Sequence, residues 1–383
     1  MHTLLSNNFF NRAIILTLLA TSLTACGGGG SGNSDSSNPA PIPAPTPNPT
    51  PNPTPNPTPN PTPIPTSPTT ITPTNSAVEL AAMKLLNENR SQCGFGSLTA
   101  NQNLNLTAMN HANYMASVTE TNKQPFASHE EQAETGLLDT GITNPYYSGI
   151  DLATRLNPLN LGKNAVSTHY ASQGQGENIS LSNFSTNNSS YTVNETATVE
   201  AMLYNLFAAP YHLRSLVYPQ FTEVGLSYQL VKWTANNGIN HTSLLEIVSA
   251  LPSSQKYIEN TKLLNFPCDG VTTDYKLTDE TPNPFGTTRN LKDQPTGQPV
   301  YVLAPFDKTI AEATATITQN GTSIGMIHTL TSLSDPNKLL SKNEVIFIPD
   351  LPLKPNTSYQ VSYQLVYNDG QKTTNQFTFK TRP

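Results

Sequence analysis

The stretch LFAAPYHLRSLVYPQFTEVGLSY, residues 206–228, places His212 two positions after Pro210, where a helical apolar pattern stops and a strand-like alternation begins. An imidazole at such a junction can act near neutral pH as a proton carrier or metal ligand. It is one of seven histidines in a chain with only three cysteines. His111, in contrast, sits beside the apolar face of a helix and reads as a core or boundary histidine. The sequence has no G-x-S-x-G, H-E-x-x-H or Walker motif, so serine hydrolase, zincin and nucleotidase readings lack their ordinary support.

The cysteines divide by position. Arg12, the apolar run AIILTLLA and then SLTAC follow the order of an export signal, so residues 1–25 read as a signal peptide. LTAC resembles the bacterial lipobox, in which Cys26 would be lipidated and become the first mature residue. Gly27, where an acidic residue would suggest inner-membrane retention, points to the outer membrane. Cys93 and Cys268 are then the two thiols left over in an exported chain, and they read as one disulfide. Such a bridge stabilises by up to roughly 5 kcal/mol in the chain-entropy model. A metal site is the weaker reading, because neither cysteine has a C-x-x-C partner.

Residues 26–75 carry a Gly/Ser run and then tandem PNPT units, which hold many of the chain's 33 prolines. No core forms from such a composition. Polyproline II at about 3.1 Å per residue gives a semi-rigid stalk of roughly 110 Å between Pro39 and Pro73. A net charge of −6 with no Lys/Arg run excludes the basic stripe that a nucleic-acid partner requires.

Residues 76–275 read as α+β. SAVE fits a capping box with Ser76 as N-cap and Glu79 at N3, followed by Val78, Ala81, Ala82, Leu85 and Leu86 on one helical face. Leu104, Ala108, Ala112, Met115 and Ala116 mark a second helix. Val199, Met202, Leu203, Leu206 and Phe207 mark a third, stopped by Pro210. Val224, Leu226 and Tyr228 alternate as a strand, the NNG at 236–238 turns, and SLLEIVSAL returns. From 285 to 383 the pattern is all-β. Tyr359, Val361, Tyr363, Leu365 and Tyr367 share one strand face, and hairpins are expected at Asn320-Gly321 and at NDG 368–370. This looks like an immunoglobulin or fibronectin III sandwich, complete enough in its hairpins to be expected to fold alone.

L-x3-A-x2-HA-x2-MA from Leu104 to Ala116, FASH at 126–129, GENIS at 176–180, APYHLRSLV at 209–217 and FTEVGLSY at 221–228 occur in that order. Together they resemble the CAP superfamily, also called SCP-like, in its bacterial form. The resemblance implies an α-β-α sandwich, followed here by the all-β region. It also implies a cleft with two histidines and two glutamates that in some members holds a divalent metal. Carried over by motif, these are His129, Glu177 and His212. The second glutamate has no counterpart: Ala209 stands at its position, and Leu206 replaces the tryptophan common three positions earlier.

Two neutral imidazoles and a carboxylate are a sound ligand set for zinc, with water completing a tetrahedron. The same residues can instead form a hydrogen-bonded cluster pinning helices to the sheet. Glu130, Glu131 and Glu134 of SHEEQAE are lesser candidates for the missing carboxylate, although a solvated acidic loop is the more economical reading. His169, close in sequence to Glu177, is another lesser candidate. Two function classes follow. The first is a lipid-anchored envelope protein presenting the CAP-like domain to a lipid, glycan or protein. The alternative is a metal-dependent, peptidase-like hydrolase acting on envelope or extracellular material.

Overall fold

The computed structural model describes residues 75–156, 170–235, 238–256 and 258–383. The export segment, Cys26, the stalk and His169 lie outside the described residues. Five α-helices are described: α1 (Ala77–Gln92), α2 (Gln102–Asn122), α3 (Leu152–Arg155), α4 (Glu195–Ala208) and α5 (Pro210–Leu216). The capping box at Ser76 forms as expected, with the Glu79 amide donating to Ser76 Oγ at 3.2 Å and the Ser76 amide to Glu79 Oε2 at 2.7 Å. The other Glu79 oxygen accepts the Tyr228 amide at 3.0 Å, so one side chain both starts a helix and docks it on the sheet.

The first sheet has strand order β1 (Thr99–Ala100), β3 (Glu223–Ala235), β4 (Gly238–Pro252), β2 (Tyr170–Thr186). The pleat sends alternate residues of β4 to opposite layers. Leu245 and Ile247 join the core under α1, α4 and α5, whereas Leu244, Val248 and Ala250 pack with residues of α2. This is the α-β-α arrangement. On β3, Gly225 lets α2 lie against the strand: an added Cβ would stand 2.0 Å from the Leu104 carbonyl carbon.

Pro210 does not send the chain into a loop. Ala209 caps the end of α4, and Pro210 occupies the first turn of α5, where its missing N–H is not needed. His212 therefore rides on a second short helix.

The C-terminal part is all-β, in two open sheets. One has the order β10 (Ile327–Thr331), β11 (Glu344–Pro349), β7 (Val300–Leu303), β5 (Leu264–Phe266). The other has β6 (Thr272–Thr273), β13 (Lys372–Thr381), β12 (Ser358–Tyr367), β8 (Ile310–Gln319), β9 (Thr322–Ser323). The expected inward face of Tyr359, Val361, Tyr363, Leu365 and Tyr367 is buried on β12. Asn320 and Gly321, both at positive φ, turn β8 into β9. β5 and β6 fall inside the span read from sequence as CAP-like, yet they pair with β7 and β13. Two or three residues each carry too little periodicity to reveal their partners.

The described residues form one compact unit with a shared core. Phe207 of α4 stacks on Phe266 of β5 at 4.8 Å between centroids. The Cys93–Cys268 disulfide joins the end of α1 to the segment between β5 and β6. α5 supplies the polar contacts. Arg214 Nε donates to both Glu344 oxygens at 2.9 Å, and the Tyr301 hydroxyl and Ser341 amide each donate to one of them at 2.6 Å. The Tyr211 hydroxyl donates to Asp335 at 2.5 Å and accepts from Asn337 Nδ2 at 2.9 Å.

Candidate functional site

Among the described residues, His111, Glu177 and Glu246 gather between α2 and the sheet. Glu177 on β2 belongs to the same strand face as Ile179 and Leu181, and Glu246 on β4 to that of Leu244 and Val248. Ile179 pairs with Glu246 and Glu177 with Val248, so the two carboxylates are diagonal neighbours across adjacent strands. His111 descends on them from α2. It and Glu246 are 0% exposed, and the Glu177 side chain is 6% exposed. Arg155, at the end of α3, is also fully buried. Asp151 caps that single turn and fixes where the guanidinium starts.

Glu177 is held from two sides. His129 Nδ1 lies 2.7 Å from Oε2, and Arg155 Nη2 donates to Oε1 in a short ion pair. Arg155 also donates through Nη1 to the His129 carbonyl at 3.2 Å, which locks the FASH loop to the same carboxylate. Burial alone would push the Glu177 carboxyl up, but the charges of Arg155 and then His111 hold it well below the usual carboxylate range.

His111 and Glu246 are placed differently. His111 Nδ1 is 3.4 Å from Glu177 Oε1 and 3.4 Å from Glu246 Oε1, beyond good hydrogen-bond range. Neither ring nitrogen and neither Glu246 oxygen has a hydrogen-bond partner among the described residues. Burial and the Arg155 charge push the imidazole down, and the two carboxylates outweigh them and raise it. Burial, then the Glu177 charge, raises Glu246.

The residues expected from sequence separate into two places. His129 and Glu177 meet, and His129 reaches solvent with 41% of its side chain exposed. His212 is committed elsewhere: its Nδ1 lies 2.8 Å from Glu280 Oε1, a buried carboxylate in the connection leading to β7. α5 is an interface helix, and its histidine serves the contact with the C-terminal region. The set His129, Glu177, His212 is therefore not the cluster this fold assembles. Glu131 is not part of a solvated acidic loop either. It is buried and accepts from the Ser148 amide at 2.5 Å, the Ser148 hydroxyl at 2.8 Å and the Gly149 amide at 3.2 Å, which pins the loop after α2. Glu130 and Glu134 are half-buried. The Glu130 amide bonds Ser128 Oγ, and the Glu134 carboxylate accepts from Gln132.

Sequence reasoning missed Arg155 and Glu246 and read His111 only as a core residue. The available signal was a single charge inside an apolar strand, SLLEIVSAL, since a lone carboxylate in a buried run needs a partner.

No curated protein matches the chain. Solved structures similar to it include CopC from Methylosinus trichosporium OB3b, at 12% identity, 32% of this chain, 95% of that chain and a TM-score of 0.22. They also include PcoC, a methionine-rich copper resistance protein from Escherichia coli, at 14% identity, 32% of this chain, 96% of that chain and a TM-score of 0.21. Scores this low carry no inference. A family model does match residues 83–234, under the description CAP, cysteine-rich secretory protein family. That span contains α2, α3, α4, α5 and the GENIS strand with its His129 and Arg155 contacts. The match supports a CAP superfamily domain over residues 83–234.

Proposed function

We propose that this is a lipid-anchored protein of the cell envelope whose CAP domain, fused to the all-β region, works as a binding module and not as a hydrolase. The observation that carries this reading is the state of Glu177. Its two oxygens are held by Arg155 and His129, and the guanidinium keeps its basicity low. A general base for water needs a pKa near the working pH. The anchor rests on Cys26 behind an export segment, and the outer membrane on Gly27. Among the described residues no helix is long and apolar enough to cross a membrane. The ligand class is a lipid, a glycan or another protein.

Two measurements test it. Cys26→Ser moves the protein from the membrane fraction to the soluble fraction, and retention after a carbonate wash overturns the anchor. Purified protein incubated with peptide and envelope-polymer substrates shows no turnover above background. Turnover that disappears in Glu177→Gln overturns the binding reading in favour of the hydrolase.

A further inference from the structure

We propose that His111, Glu177 and Glu246 form a zinc site, distinct from the set His129, Glu177, His212 and sharing only Glu177 with it. Three features of the structure lead there. First, the ligand atoms of these residues all lie within 4.8 Å of one another, between α2 and the strands β2 and β4. Second, His111 Nδ1 stands 3.4 Å from Glu177 Oε1 and 3.4 Å from Glu246 Oε1. That is too long for a strong charged hydrogen bond, which runs about 2.7–2.9 Å. It matches the edge of a tetrahedron whose centre stands about 2.1 Å from each corner, since the edge is about 1.63 bond lengths and zinc–nitrogen and zinc–oxygen bonds run about 2.0–2.2 Å. Third, His111 and Glu246 are fully buried, and among the described residues none of their side-chain nitrogens or oxygens has a hydrogen-bond partner, the two groups facing each other only across the 3.4 Å ion-pair distance. Buried polar atoms are nearly always satisfied, and two facing orphan groups around one point call for a common partner.

The donor set and the distances select the ion. One imidazole and two carboxylates suit a borderline dication. An octahedral ion would need bonds of about 2.4 Å to span the same edges, a calcium length, and calcium takes oxygen donors rather than imidazole. Two carboxylates cancel the charge of the dication. Arg155 and His129 then stand outside it on the Glu177 carboxylate, as ligating carboxylates are commonly hydrogen-bonded by outer partners. The site is thus completed by residues from five segments. It closes the α2 layer onto the sheet, and it holds whether the CAP domain binds or hydrolyses.

The test uses the full-length Cys26→Ser chain and the metal alone. Chelator-treated protein takes up one zinc per chain, and cobalt substitution gives the intense visible bands of a tetrahedral centre. X-ray absorption of the zinc form shows one nitrogen/oxygen shell at about 2.0–2.1 Å with imidazole scattering. Glu246→Gln and His111→Gln each weaken binding by more than about 100-fold, while His129→Gln weakens it by about 10–100-fold, as expected of an outer partner. His212→Gln leaves stoichiometry and spectrum unchanged. Wild-type protein that binds no zinc overturns the site without depending on any variant. Loss of zinc in His212→Gln, or retention in both Glu246→Gln and His111→Gln with native circular dichroism, also overturns it.

Discussion

Glu344 and Glu246 are both buried carboxylates on central strands, and their surroundings are opposite. At Glu344 both oxygens are claimed, by Arg214, Tyr301 and Ser341, across the contact between α5 and the C-terminal sheets. At Glu246 neither oxygen has a hydrogen-bond partner among the described residues, and the His111 imidazole stands off at 3.4 Å. A saturated buried charge is cement: its desolvation cost is offset in place, and removing one member leaves the rest stranded. An unsaturated one is an incomplete site. The same contrast explains the two histidines of the motifs, since His212 was taken up by the interface while His129 stayed with Glu177.

The largest expected effect tests the cement. A fragment of residues 285–383 lacks β5, β6 and the whole α5 contact, so it shows no cooperative melt by circular dichroism, against the expectation of an independently folding sandwich. A cooperative melt of that fragment would show that the shared core is dispensable. Within the intact chain, Arg214→Met costs about 3–5 kcal/mol in denaturant titration because Glu344 and Tyr301 are left without their cation. Adding Glu344→Leu recovers most of it, as replacing a whole buried pair by apolar groups is often neutral. Glu246 gives the opposite sign. In chelator-treated protein Glu246→Met stabilises by about 1–2 kcal/mol, because it removes an unsatisfied buried group. A loss of stability there would mean that Glu246 has a partner after all.

A subtler effect concerns His212. Burial alone would lower its imidazole, but the charge of Glu280 and the hydrogen bond to it raise the folded pKa above the unfolded value of about 6.5. The stability it contributes is therefore complete below about pH 6.5 and is lost as pH rises through the raised folded pKa. His212→Gln should cost up to about 2 kcal/mol at pH 6 and progressively less toward pH 9, measured by thermal melts across that range. A cost that grows with pH would mean the imidazole is neutral at the interface. The smallest effect is Ser76→Ala, about 1 kcal/mol for one lost cap, with the α2 side untouched.

The parts of this molecule legible in its sequence are those governed by local rules. The capping box at Ser76, the face of β12 and the Asn320-Gly321 turn each depend on neighbours a few residues away. The Cys93–Cys268 bridge was legible by counting. The site was half legible. FASH and GENIS brought His129 and Glu177 together, but Glu246 and Arg155 carry no motif and become visible only when the strand register sets Glu246 diagonally from Glu177. His212 misled for a physical reason: Glu280, its partner, lies 68 residues further on, in a connection with no periodic signal.

The bridge between Cys93 and Cys268 spans 175 residues, and that span includes every loop around the Glu177 cluster. A protease that nicks the chain once anywhere inside it therefore cuts a peptide bond without releasing a fragment. The two pieces stay joined through sulfur and through the buried contacts of α5, and a non-reducing gel would show one band where a reducing gel shows two. Cleavage and release of a fragment are therefore separate events, and a reductant acting on a nicked chain couples them.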